Sequence, residues 1–112
     1  MNIIRVDFSS RIGFGHLKRV VRYVKRYKKG EWLIVCKECA KFDEFPLKRV
    51  ESEEEFFDLV KKMAPDEVVV DNYAFGVEYE KECKRLFPSI YLCFICNFIE
   101  RIFKNSRNKN CR

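Results

Sequence analysis

The chemistry of this sequence is concentrated in one stretch, Asp7-Phe8-Ser9-Ser10-Arg11-Ile12-Gly13-Phe14-Gly15-His16. It brings together an acid, two hydroxyls, a guanidinium and the one histidine of the chain. An imidazole that is neutral near pH 7 can take a proton from water and act as a general base. Gly13 and Gly15 suit a tight turn whose backbone N–H groups approach a ligand closely. A helix beginning at His16 would present its N-terminus there, which favours an anion such as phosphate. The same helix end disfavours a positive charge on His16, so a neutral imidazole is expected. The plain alternative is that Gly15 and His16 only form a turn. A second acid, Asp71, closes the run Val68-Val69-Val70.

These residues need a scaffold, and the hydrophobic pattern predicts one. Ile3 to Asp7 reads as a first strand ending in an acid. From His16 to Lys29, the residues Leu17, Val20, Val21, Val24 and Tyr27 fall on one helical face, with Lys and Arg on the other. Gly30 is expected to end that helix. Glu31 to Cys36 reads as a strand, and Phe45 to Val50, with Pro46, as a weaker edge strand. Ser52-x-x-Glu55 is a capping box opening a helix that buries Phe56, Phe57, Val60 and Met63 and stops at Pro65. The neighbouring cluster Glu51, Glu53, Glu54 and Glu55 suits the positive end of that helix and needs no other role. Val68 to Asp71 is the clearest strand. A loop at Asn72 to Gly76, a helix from Val77 to Phe87 facing inward through Tyr79, Cys83 and Leu86, and a strand from Ile90 to Ile95 follow. The order βαββαβαβ predicts an α/β fold, a Rossmann-like three-layer domain with a mostly parallel sheet. In such sheets ligands bind outside the carboxyl ends of the strands, where Asp7, His16 and Asp71 are expected to meet.

The loop is neither a dinucleotide fingerprint, since Lys18 stands where a small residue is needed, nor a phosphate-binding loop ending in Gly-Lys-Ser/Thr. A length of 112 residues fits one domain, and 47% hydrophobic residues with eleven Phe supply a core. No run approaches the ~18 apolar residues of a spanning helix, and no export signal opens the chain, so a cytoplasmic location is expected. Six cysteines are then expected as reduced thiols. Cys36-x-x-Cys39 and Cys93-x-x-Cys96 have the spacing of a four-thiolate zinc site, although Cys93 to Cys96 reads as strand, which would point the two thiols to opposite faces. Cys36-Lys37-Glu38-Cys39 after a strand also fits a redox motif. Cys83 reads as core filler.

The net charge is +6, and residues 101–112 hold five basic groups and no acid. The rest of the chain is near neutral, so the basic helix face reads as solvated and nucleic acid is not the expected partner. The basic tail, with Phe98 and Phe103, could hold RNA or DNA non-specifically or have no role. Residues 93–112 carry three of the six cysteines and four of the six asparagines, and no Gly, Asp, Val or Leu. The expectation is a domain over 1–92 and an atypical basic tail over 93–112, arising from a frameshift or a truncated gene. Translation of the neighbouring reading frames checks this.

One family resemblance is carried by these residues. Arg5-x-Asp7-x-Ser9-x-x-Ile12-Gly13-x-Gly15-His16-x-x-Arg19 resembles the N-terminal signature of the nucleotide-sugar hydrolases of pseudaminic acid synthesis. Those enzymes are similar in fold to the two-domain GT-B glycosyltransferases. Val68-Val69-Val70-Asp71-Asn72-Tyr73, followed by Glu78, Tyr79 and Glu80, resembles the family's hydrophobic strand and Asp-His-Tyr. The resemblance spans roughly residues 1–92 and implies half of a GT-B architecture. It implies hydrolysis of UDP-2,4-diacetamido-2,4,6-trideoxy-beta-L-altropyranose: water attacks the anomeric carbon and UDP leaves, with no metal or cofactor. His16 matches the catalytic base. Asp7, Asp71 and Tyr73 match residues near the sugar, and Gly13 and Gly15 match the loop facing the phosphates. Ser9, Phe14 and Arg19, in the same signature, are expected to bind substrate. Asn72 replaces a histidine and loses a titratable group. The family continues into a C-terminal nucleotide-binding domain, so this chain is expected to supply one wall of a cleft and to have very weak or no activity alone. A separately encoded second domain is an expected partner. The alternatives are a non-catalytic single domain that binds a sugar nucleotide or a partner, and a cysteine metal or redox module.

Overall fold

The computed structural model describes residues 1–71 and 76–95. Its elements are β1 (Asn2–Val6), α1 (Gly15–Tyr27), β2 (Trp32–Cys36), β3 (Leu47–Arg49), α2 (Glu53–Met63), β4 (Glu67–Asp71), α3 (Val77–Leu86) and β5 (Tyr91–Phe94). All eight elements read from the sequence are present, in the same order. The strands form one five-stranded sheet in the order β3-β2-β1-β4-β5, and all four pairings are parallel. This is the α/β, Rossmann-like architecture that the alternation of elements predicts.

Three layers follow from the period-2 alternation of the strands. Ile4 and Val6 of β1, and Phe8 beyond it, pack with Ile34 of β2, Val69 of β4 and the α1 residues Leu17, Val20, Val21 and Val24. Ile3, Val35, Val68 and Val70 pack on the other face with Phe56 and Val60 of α2 and Cys83 of α3. Thus α1 covers one face, and α2 and α3 cover the other.

Local signals act largely as the sequence suggests. Ser52 caps α2: its Oγ accepts from the Glu55 N–H at 3.1 Å, while the Glu55 carboxylate accepts from the Glu51 N–H at 2.9 Å. Ala64 takes a left-handed conformation (φ 47°) after the last turn, just before Pro65. Two details differ from expectation. Tyr27 is 65% exposed rather than part of the buried face. At 100° per residue it lies roughly 80° from the direction of Leu17, on the margin of the apolar stripe and at the last helical position. Gly30 does not cap α1; the helix ends at Tyr27 with extended Lys28, and Gly30 (φ 88°) turns the chain into β2.

Strand order reverses beside β1, since α1 carries the chain to β2 on one side and β4 lies on the other. The carboxyl ends of β1 and β4 therefore flank the switch point where open parallel sheets bind ligands. Cys93 and Phe94 continue β5 in register with Val69 and Val70. The expectations for Asn72, Tyr73 and Cys96, and for the tail beyond Ile95, lie outside the described residues.

Candidate active site

The loop between β1 and α1 is held by its own side chains. The Ser9 Oγ accepts from the N–H groups of Arg11 (3.2 Å) and Ile12 (3.1 Å), and the Gly13 N–H donates to the Ser9 carbonyl at 2.6 Å. Gly13 has φ 95°, a conformation that side chains rarely adopt, so glycine is required there by the turn itself. Gly15 is different. A Cβ on it would meet nothing within 4 Å among the described residues. Phe14 is the N-cap of α1 and supplies no side-chain cap, and the first turn carries no acid. The N–H groups of that turn thus keep their capacity for an anion at the switch point.

His16 and Arg19 leave the first turn of α1 on the same side, three residues apart, and meet Asp71 at the end of β4. Asp71 has no exposed surface. His16 Nδ1 lies 2.7 Å from Asp71 Oδ1, and Arg19 forks onto both carboxylate oxygens, Nη2 to Oδ1 at 2.7 Å and Nε to Oδ2 at 3.1 Å. Arg19 Nη2 also lies 3.2 Å from His16 Nδ1. A guanidinium only donates and a carboxylate only accepts, so Nδ1 cannot serve both neighbours. The shorter contact decides: Nδ1–H donates to Asp71, and the proximity of Arg19 follows from both groups converging on Oδ1. In this tautomer the imidazole lone pair is on Nε2. A carboxylate behind a histidine is the arrangement that orients a general base and stabilises the imidazolium it becomes. Arg19 compensates the buried charge of Asp71.

The sequence reading placed Asp7 in the same group, and the structure puts it on the other face. Val6 pairs with Asp71 across β1 and β4, so Asp71 shares the α1 face with Val6 while Asp7, one residue on, turns away. There Asp7 Oδ1 accepts from Arg5 Nη1 at 2.7 Å and from the Lys37 and Glu38 N–H groups at 2.7 and 3.3 Å. Burial raises the Asp7 carboxyl, but Arg5 and the two N–H groups outweigh it and hold it below the ordinary value. Arg5 is wholly buried and also donates from Nε to Glu53 at 3.2 Å. The Tyr79 hydroxyl donates to the same carboxylate at 2.7 Å. Burial and the adjacent Glu53 carboxylate push the Tyr79 phenol far above its ordinary value. Sequence reasoning missed this network, treating Glu53 as helix-start charge and Tyr79 as core. The parity shared by Ile3, Arg5 and Asp7 was the available signal.

Glu38 ties the site loop to the end of β2. Its carboxylate accepts from the Ser9 hydroxyl and from Arg11, and its carbonyl accepts from the Phe8 N–H at 2.9 Å. Contrary to the expectation of reduced thiols, Cys36 and Cys39 on either side of this turn form a disulfide. The turn sets their Cα atoms 5.9 Å apart, within the span a disulfide bridges. Two sulfurs bonded to each other do not ligate zinc, and among the described residues no group of three metal-binding side chains converges. No helix among the described residues is long and apolar enough to cross a membrane.

A parallel sheet with helices on both faces, and an uncapped helix end beside a carboxylate-backed histidine at its switch point, define the class as an α/β, Rossmann-like domain. No protein-family profile matches the chain. The chain is similar to a UDP-2,4-diacetamido-2,4,6-trideoxy-beta-L-altropyranose hydrolase of Campylobacter jejuni, with 33% identity over 86 residues, covering 73% of this chain and 31% of that enzyme. The similarity thus spans about a third of the length of its curated relative, and it supports a relationship to the UDP-sugar hydrolases.

Proposed function

We propose that this chain provides the base-bearing wall of a UDP-sugar hydrolase, as the N-terminal half of a GT-B-like architecture that runs through β5. The observation that carries the reading is the 2.7 Å contact between His16 Nδ1 and Asp71 Oδ1, set beside the uncapped N-terminus of α1. The substrate in this reading is UDP-2,4-diacetamido-2,4,6-trideoxy-beta-L-altropyranose, the compound hydrolysed by the similar enzyme.

In the proposed reaction His16 Nε2 takes a proton from water as the water oxygen bonds to the anomeric carbon. The bond from that carbon to the phosphate oxygen breaks, and UDP leaves with the electron pair. Asp71 holds the imidazole and stabilises its protonated form. Gly13, Phe14 and Gly15 line the approach of the diphosphate to the first-turn N–H groups, and Tyr73 contacts substrate; the Ser9 hydroxyl, committed to Glu38 and to the Arg11 and Ile12 N–H groups, holds the loop instead. The Asp7 and Arg19 side chains act through their partners, Asp7 by fixing the loop to the end of β2 and Arg19 by holding Asp71. A second, nucleotide-binding part completes the cleft, so turnover by this chain alone is very weak.

Titration of the isotopically labelled 112-residue chain with this UDP-sugar, followed by backbone amide NMR, tests the reading. Saturable shifts centred on residues 9–19 and Asp71 at millimolar ligand are expected, with at most trace release of UDP. Absence of saturable shifts there overturns the assignment of the site. Robust UDP release by the chain alone overturns the proposed need for a second part.

A further inference from the structure

The crossover from β2 to β3 has no helix. Residues 37–46 form an irregular segment on the α1 face, with bends at 37–38 and 44–45, bridging Phe8 to Cys39 and laying Phe42 and Phe45 against the core. Parallel strands are ordinarily joined by a helix that packs on the sheet, and a single irregular segment covers less of it. Among the described residues the layer that α1 occupies is therefore left open on one flank, as a groove of about 690 Å³ beside the helix.

The floor of this groove is apolar, made by Leu17, Val21, Phe14 and Phe42. Its rim is cationic. Lys18, Arg22, Lys25 and Arg26 stand along α1, and Lys41 stands on the opposite wall. Among the described residues the single acid of the lining is Glu44, and it is paired with Lys25. Four cations therefore surround an apolar slot without a carboxylate of the lining to balance them. The slot runs along a helix of 13 residues, about 20 Å at 1.5 Å per residue.

We infer that this groove docks an acidic amphipathic helix of a partner protein, in the place where a crossover helix would otherwise lie. Apolar residues of the partner at i, i+3, i+4 and i+7 fill the floor, and its flanking Glu and Asp meet the rim. Charge selects this occupant over the chain's own tail, since residues 101–112 carry five basic groups and no acid. The concave shape between α1 and the 37–46 segment selects a rod-like ligand over a flat lipid surface.

The test uses two fluorescein-labelled helical peptides of about 12 residues, each with Leu at i, i+3, i+4 and i+7. One carries Glu at its flanking positions and the other Lys. The Glu peptide is expected to bind the full chain at least about tenfold more tightly by fluorescence anisotropy, and to weaken by a similar factor in the Lys18→Glu/Arg22→Glu variant and at high salt. Amide NMR of the variant verifies its fold, since both side chains are exposed. Equal binding of the two peptides, binding of neither, or binding unaltered in the variant overturns the inference. So does rim-dependent binding of phosphatidylglycerol vesicles, or self-association through the same rim, when the Glu peptide fails to bind.

Discussion

Asp7 follows β1 and Asp71 ends the neighbouring parallel strand β4, both at the carboxyl end of the sheet, yet their carboxylates sit on opposite faces. Val6 and Asp71 are register partners, so the residue after Val6 points the other way. One acid consequently joins His16 and Arg19 over the α1 layer, and the other joins Arg5 over the α2 and α3 layer. Asp71 holds the His16 ring and the Arg19 guanidinium, and Asp7 ties the end of β1 to the turn after β2.

The fork of Arg19 on Asp71 requires a planar guanidinium. Arg19→Lys keeps the charge but replaces two hydrogen bonds by one at a carboxylate with no exposure. A loss of about 1–3 kcal/mol of stability is expected, the size of a hydrogen bond to a buried charged group. Urea denaturation of the two proteins checks this, and equal midpoints would show that Lys satisfies Asp71 as well.

Asp7 makes stability depend on acid pH. Its carboxyl is lower in the folded chain than its ordinary value of 3.8, so the unfolded chain binds the proton more readily. The stabilisation is full above the unfolded value and is lost as pH falls below about 4 and through the folded one. Asp7→Asn abolishes this term. The stability gap between wild type and Asp7→Asn is expected to be constant above about pH 5 and to narrow below pH 4. A gap that widens on acidification would contradict the sign.

The disulfide between Cys36 and Cys39 is open to a direct mass measurement, because Lys37 lies between them. Trypsin cleavage after Lys37 leaves peptides 30–37 and 38–41 joined through the bond. Protein purified without reductant and blocked with iodoacetamide is expected to yield the joined pair, which separates on reduction. Recovery of only singly alkylated peptides would contradict the bond. In the chain-entropy view the closure of so short a loop contributes about 2 kcal/mol, so Cys36→Ser/Cys39→Ser is expected to be less stable by up to that amount.

Most of the scaffold was legible in the sequence because each element carries a redundant signal. Val68-Val69-Val70 is apolar on both faces, as a central parallel strand must be, and Ser52 with Glu55 marks the start of α2 by the bonds they make. The position of His16 was legible for the same reason, since Gly13 and the apolar period of α1 fix where the helix starts. Which of the two strand-end acids would partner His16 was not. Asp71 lies 55 residues away, and only the β1–β4 register determines which face it takes. The network of Arg5, Asp7, Glu53 and Tyr79 was hidden because each member has an adequate local explanation on its own. The groove beside α1 was hidden because a missing helix between β2 and β3 leaves no motif.

The central claim is that Asp71 fixes His16 as the tautomer with its proton on Nδ1 and its lone pair on Nε2. His16 is the one histidine in the chain, so 15N NMR of labelled protein shows a single imidazole. At a pH where the ring is neutral, the account predicts a protonated Nδ1 and a bare Nε2 in the wild type, and loss of that preference in Asp71→Asn. A wild-type ring protonated on Nε2, or a preference unchanged by Asp71→Asn, would contradict it.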